Sequence, residues 1–166
     1  MQKKPSALKL ILFFLVILGI ASCNRKMVYN EYQSMPQAQW HKDSIVEFVI
    51  PAMDTVQSNN VYVTLRNDKD YEFSNLFLIV GMRFPNNYQV VDTLEYEMTT
   101  PEGRFLGTGM SDVKENKLEY KTSVRFVQEG EYHLTVQHAM RKSRDIEGLD
   151  YLKGITDVGV QIEKSN

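Results

Sequence analysis

Three histidines, one cysteine and a few closely spaced carboxylates are the side chains of this 166-residue chain that could do chemistry. A zinc site needs several ligands at a recognisable spacing, and none of His41, His133 and His138 has a second ligand so placed. His133 and His138 stand an odd number of residues apart, which turns them to opposite faces of one regular strand. Asp68, Asp70 and Glu72 alternate like the opening of a calcium loop. Phe73, however, occupies the position that needs glycine, and no glutamate closes the loop at its twelfth residue. An irregular calcium site at a loop is the alternative this spacing leaves open. Glu95 and Glu97 could act as acid and base on a glycan, although two acids two apart on a strand usually form its solvated face. There is also no Gly-Xaa-Ser-Xaa-Gly elbow, and the sequence assigns no catalytic, cofactor-binding or metal-binding residue.

Cys23 is the only cysteine and therefore has no disulfide partner within the chain. It follows a leader in which Lys3, Lys4 and Lys9 precede an uncharged run, Leu10 to Ile20, dense in Leu, Ile, Phe and Val. That run is about half of the roughly 20 apolar residues a spanning helix needs, which argues against a permanent transmembrane segment. It ends in Ile20-Ala21-Ser22-Cys23, which looks like a lipobox: an aliphatic residue and two small ones let a signal peptidase reach the chain beside a diacylated thiol. The expectation is cleavage before Cys23 and lipid on its sulfur, which holds the mature chain on a membrane without spanning it. The competing reading is a free thiol behind an ordinary signal peptide. Asn24, Arg25 and Lys26 include no acid, and acidic stretches at this position resemble tags for export to the cell surface, so the periplasmic side is favoured. Asn24 is not the aspartate associated with retention at the inner membrane. This favours the outer membrane, with the inner membrane as the alternative.

Loss of the leader removes three lysines and leaves 16 basic against 21 acidic residues, a balance that argues against a nucleic-acid partner. The remaining 144 residues suffice for one domain with its own core, held without disulfides. The expected organisation is a signal peptide at 1–22, a lipid-anchored tether at 23–42 and a single domain at 43–166. The tether reading rests on the polar character of residues 24–42, interrupted by Met27, Val28, Tyr29 and Tyr32, and on Pro36.

Beyond the tether the apolar residues alternate with the period of half-buried strands: Val46, Phe48, Ile50; Val61, Val63, Leu65; Tyr132, Leu134, Val136; and Val158, Val160, Ile162. Phe73 to Phe84 is nearly all apolar and suits a long central strand buried on both faces. Tyr88 to Met98, Leu118 to Tyr120 and Val124 to Phe126 supply further strands. Turns fall at Asn67–Asp70, Pro85–Asn87 and Glu129–Gly130, and a longer loop spans Pro101 to Gly109; Arg141 to Lys153 reads as an exposed loop. Without a long amphipathic helix, this pattern predicts an all-β fold, an antiparallel β-sandwich of immunoglobulin-like or jelly-roll-like type with about seven to nine strands. Trp40, the only tryptophan, is read as a buried anchor for the tether.

Several longer blocks closely resemble the gliding-motility lipoprotein family known as GldH. They include Leu65-Arg66-Asn67-Asp68, Tyr71, Phe73-Ser74-Asn75-Leu76-Phe77-Leu78-Ile79-Val80, Asp92-Thr93-Leu94-Glu95-Tyr96-Glu97-Met98, and Asp112-Val113-Lys114-Glu115-Asn116-Lys117-Leu118. Pro101-Glu102-Gly103, Leu106-Gly107-Thr108-Gly109, His138-Ala139-Met140-Arg141 and Gly154-Ile155-Thr156-Asp157-Val158-Gly159 extend the likeness, which together with the lipobox spans the chain. The resemblance implies a role in surface gliding and in the apparatus that supports it, which overlaps with a secretion route for surface proteins. It brings no catalytic or cofactor residues. The expected partners are other envelope lipoproteins or motility and secretion proteins, met through the loops Arg66, Asn67, Asp68, Asp70, Tyr71 and Gly107, Gly109, Asp112. The competing reading of those loops is that they are turns only. The alternative function is a periplasmic glycan-binding sandwich, with Trp40 or tyrosines stacking on sugars; a hydrolase would need two carboxylates converging in a pocket. Finally, Asp43-Ser44-Ile45, Asp54-Thr55-Val56 and Asp92-Thr93-Leu94 resemble a bacterial O-glycosylation acceptor triplet, which makes Ser44, Thr55 and Thr93 candidate modification sites. Asp before Ser or Thr is also common where strands begin.

Overall fold

A computed structural model describes residues 26–51, 53–109, 111–142 and 147–165. Ten strands occupy these residues: β1 Met27–Ser34, β2 Gln39–His41, β3 Val46–Ile50, β4 Ser58–Asn67, β5 Asn75–Arg83, β6 Gln89–Glu97, β7 Lys114–Arg125, β8 Tyr132–His138, β9 Tyr151–Lys153 and β10 Ile155–Lys164. They form two four-stranded sheets, ordered β1-β10-β4-β7 and β3-β8-β5-β6, and a small β2-β9 ribbon, with every pairing antiparallel. This is the expected antiparallel sandwich; the strands beyond the expected range are short or lie at edges.

The alternation seen in the sequence is what packs the two layers. Val61, Val63 and Leu65 of β4 and Val158, Val160 and Ile162 of β10 turn inward from one sheet, and Phe48, Leu78, Val80, Leu134 and Val136 meet them from the other. All are fully buried, and each large aliphatic or aromatic side chain so placed contributes about 1.5–3 kcal/mol of transfer free energy. The outer face of the β4-β10 sheet is covered instead by long polar side chains. The Arg66 guanidinium lies 4.3 Å over the Tyr32 ring, and the Lys117 ammonium lies 4.1 Å over Tyr62 while bonding Glu163 at 2.8 Å.

Three expectations need correction. Residues 27–34, read as tether, form edge strand β1, which pairs with β10 from Met27↔Glu163 to Ser34↔Asp157. An edge strand needs one hydrogen-bonded neighbour and few buried side chains, so its sequence stays polar. Pro36 lies beyond the strand's end, in a 3₁₀ turn at Pro36–Ala38. Likewise, β5 is buried on one face only. Leu76, Leu78 and Val80 are enclosed, whereas Phe77 on the opposite face is only half-buried. The stretch 141–153 is also not all loop, since β9 within it pairs with β2.

Candidate functional site at the far pole

Strand register divides the loops between two poles. Met27 of β1 starts at the same end as Lys164, Ser58 and Arg125 in one sheet and Ile50, Tyr132, Arg83 and Gln89 in the other. We call this the entry pole. The loop from β4 to β5 and the long loop from β6 to β7, the two stretches singled out from the sequence, both lie at the opposite, far pole.

There they touch. Tyr71 packs against Phe73 at 5.9 Å and Phe105 at 6.4 Å between ring centroids. Its hydroxyl donates to the Asn75 carbonyl at 2.7 Å, and burial pushes its phenol well above the usual range. Arg66 Nε donates to Glu115 at 2.9 Å, tying the end of β4 to the start of β7. That ion pair is the main cause of its raised pKa. Asn67 is fully buried and accepts from Asn116 Nδ2 at 2.8 Å. Asp68 builds the turn itself: its carboxylate accepts from the Asp70 amide at 2.8 Å, and its own amide donates to the Gly154 carbonyl at 2.9 Å. Gly154, at φ +80°, passes so close to the Tyr71 amide that a Cβ there would overlap backbone.

In the longer loop, Gly107 lies against Asn116 and the Glu115 carbonyl, where a Cβ would sit 2.8–2.9 Å from either, and Gly109 adopts φ +147° beside the Val113 carbonyl. Thr108 and Glu115 exchange backbone bonds at 2.8 Å, and Thr100 bonds Arg104 across the Pro101–Gly103 turn. Of the residues expected to meet a partner, Asp70 and Asp112 are exposed and Arg66 is partly so. Asn67 and Tyr71 are buried, and the two glycines shape backbone. Leu106, half-exposed at 51%, is the apolar side chain this loop offers to solvent.

Beside the loops runs an open polar groove of about 500 Å³, lined by Ser74, Asn75, Glu95, Glu97, Thr99 and Thr100 among others. Asn75 Nδ2 donates to Glu95 Oε1 at 2.9 Å, so one of the two paired carboxylates already serves a neighbouring side chain. A smaller hollow of about 140 Å³ lies among Asp70, Glu72, Phe73, Lys142 and Tyr151. The three histidines have separate structural partners. His133 Nδ1 meets Glu47 at 2.7 Å, His41 stacks edge-on against Tyr151 at 4.7 Å, and His138 is buried. Among the described residues no group of three or more His, Cys, Asp or Glu is arranged to hold a metal ion.

A feature the sequence did not disclose lies under the far pole. His138 Nε2 donates to the Trp40 carbonyl at 3.0 Å, Nδ1 accepts from the Met140 amide at 3.4 Å, and the two rings meet edge-on at 5.3 Å. With both ring nitrogens used this way the imidazole is neutral, and burial lowers its pKa. Trp40 is fully enclosed, with its indole N–H on the Ser44 carbonyl at 2.8 Å. Its burial is as expected, and it offers no platform for a sugar. The signal would have been hard to find, because the pair is 98 residues apart.

The acceptor-like triplets scatter. Ser44 and Thr93 are exposed and Thr55 is half-buried. The aspartates ahead of two of them have structural tasks: Asp54 accepts from the Val56 amide at 2.9 Å, and Asp92 binds Lys121 at 2.8 Å and the Tyr120 hydroxyl at 3.0 Å across the two sheets. Lys121 holds the Asp92 carboxyl below its usual range. Cys23 and the leader lie outside the described residues.

At the entry pole an apolar hollow of about 280 Å³ lies between the sheets, walled by Phe84, Val90, Val124, Phe126 and Tyr132, with Lys121 and Arg125 beside it.

The class these features define is an antiparallel all-β sandwich, with the β4–β5 and β6–β7 loops together at the end away from its N-terminal entry. The chain belongs to the GldH lipoprotein family, whose model matches residues 27–162. It is 46% identical over 161 residues to the gliding motility lipoprotein GldH homolog of Christiangramia forsetii, covering 97% of this chain and 98% of that one. To the gliding motility lipoprotein GldH of Flavobacterium johnsoniae it is 43% identical over 155 residues, covering 93% and 96%. Among solved structures, a family GH115 4-O-methyl-α-glucuronidase aligns with 87% of this chain at 12% identity and a TM-score of 0.44; the chain spans 18% of that enzyme.

Proposed function

We propose that this chain is a non-enzymatic envelope component, anchored by lipid on Cys23 at the periplasmic face of the outer membrane. There it supports motility and secretion machinery by binding other envelope proteins. The observation that carries the reading is the placement of the β4–β5 and β6–β7 loops. They converge at the pole farthest from the anchored end, where a protein held on a membrane meets its partners. Buried Asn67 and Tyr71, Gly107 and Gly109 hold the surface in shape, and Asp70, Asp112, Arg66 and Leu106 face outward on it. The family relationship supports the motility assignment, since relatives at 43–46% identity are named for gliding motility.

The test is cross-linking in intact cells followed by recovery through a tag and mass spectrometry, with Cys23→Ala and Leu106→Asp/Asp112→Arg forms alongside. Enrichment of motility or secretion proteins that falls in both forms supports the reading. Recovery of glycan in place of protein would replace it with the carbohydrate-binding alternative, seated in the polar groove beside Glu95 and Glu97.

A further inference from the structure

The ten large hydrophobic side chains that stand exposed among the described residues are unevenly placed: seven lie at or within about two residues of the entry pole. Three lie in three different connections there. Val56 is 77% exposed in the β3–β4 connection, Tyr88 63% at the β5–β6 turn, and Val127 65% in the β7–β8 connection. Met27 and Val28, at 38% and 43%, begin β1 beside them. Connections exposed to water alone have no use for such residues, and an apolar set spread over separate connections at one end marks a surface that meets something apolar.

The chain itself says what that is. Cys23 precedes Met27 by four positions, and four residues reach at most about 14 Å at roughly 3.6 Å each. Because β1 starts at the entry pole and is paired along its length with β10, the anchor cannot hold the sandwich at a distance. Among the described residues the charges here balance, with Lys26, Arg83, Arg125 and Lys164 set against Asp54, Glu129, Glu131 and Glu163, so the pole has no preference for an anionic surface. We infer that the entry pole of the sandwich is a membrane-seating surface, in which Val56, Tyr88 and Val127 enter the headgroup region of the bilayer that holds the lipid on Cys23. This rests on the anchoring reading above. It adds that the domain stands on the bilayer with its strands upright and its far pole directed away from it. An aromatic ring with a polar tip, such as Tyr88, suits that interface, and apolar insertion without net charge makes the seating insensitive to salt.

With Cys23 lipidated, an introduced cysteine is the only free thiol, so the mature lipidated protein can be labelled at one site at a time with an environment-sensitive fluorophore. Val56→Cys, Val127→Cys and, as far-pole controls, Leu106→Cys and Asp112→Cys are reconstituted in phosphatidylcholine vesicles containing a headgroup-region nitroxide lipid. Labels at 56 and 127 are expected to be quenched at least about threefold more than those at 106 and 112, unchanged between low and high salt. Tyr88→Asp, whose fold is checked by Trp40 emission, is expected to reduce that difference. Vesicle flotation of the same samples reports the anchor separately. Failure to float overturns the anchoring reading and this inference with it. Flotation with equal quenching at both poles overturns the seating alone, and quenching abolished by salt overturns its apolar basis.

Discussion

Gly154 and Gly103 share nearly the same backbone conformation, φ +80° and +81°, in very different surroundings. A Cβ at position 103 would meet nothing within 4 Å, whereas one at 154 would overlap the Tyr71 amide and stand 2.7 Å from the Asp70 carbonyl carbon. Both changes to alanine carry the cost of a left-handed residue, about 1–2 kcal/mol, offset by about 0.4–1 kcal/mol from the stiffer unfolded chain. Gly103→Ala is therefore expected to lose at most about 1.6 kcal/mol. Gly154→Ala adds overpacking against backbone that cannot rotate away, about 1–3 kcal/mol more, and strains the bonds from Gly154 N to Ala38 and from the Asp68 amide to Gly154. Its total is about 2–4 kcal/mol. Urea unfolding followed by the emission of Trp40, the single, fully buried tryptophan, measures both. At a slope of about 1–3 kcal/mol per molar, the Gly154 variant shifts the midpoint by about 1 M or more and the Gly103 variant by much less. Equal losses in the two variants would refute the claim that the β4–β5 turn and residue 154 are in steric contact at the far pole.

Other outcomes follow from the same geometry. His138 has a folded-state pKa below its ordinary 6.5, so the unfolded chain takes up the proton first. Its contribution is therefore fully present above that pH and is lost as pH falls through the window just below it. His138→Gln should flatten the stability profile below pH 6.5, where the unfolded chain takes up the proton and the folded one resists it. Asn116→Ala removes the donor to buried Asn67 Oδ1 and to the Leu65 carbonyl, and is expected to cost about 1–3 kcal/mol in the same urea titration. If the acceptor-like triplets are modified, mass spectrometry of the native protein will find glycan on exposed Ser44 and Thr93 ahead of half-buried Thr55. Asp43→Asn should then remove it from Ser44 without loss of fold.

The strands most readable from sequence were those with one face in the core and one in solvent. Val46, Phe48 and Ile50 alternate because β3 has that environment, and the same holds for Tyr132, Leu134 and Val136 in β8. β1 escaped because it lies at an edge, where pairing with β10 is made by backbone and leaves little trace in side-chain type. β9 is three residues long and has only Leu152 buried, too little for a period to show. At the candidate site the turn residues were legible individually. Asp68 and Gly107 are turn chemistry, and the chain bends there. What periodicity could not supply was that the two loops share a pole, or that Asn67 would point inward to Asn116, since both depend on which strands become neighbours. The Trp40–His138 pair was hidden for the same reason.

Joining the first strand to the last has a mechanical consequence. The anchor proposed on Cys23 would load β1 at its Met27 end, and its partner β10 runs antiparallel through the middle of the sheet, next to β4. A pull between the membrane and a partner held at the far pole acts along the strand axes. It loads the rungs from Met27↔Glu163 to Ser34↔Asp157 side by side in shear, with no single rung peeled open first. In that direction the ladder yields only when many hydrogen bonds fail together. On the proposed anchoring, the membrane pulls on a ladder that resists as a whole.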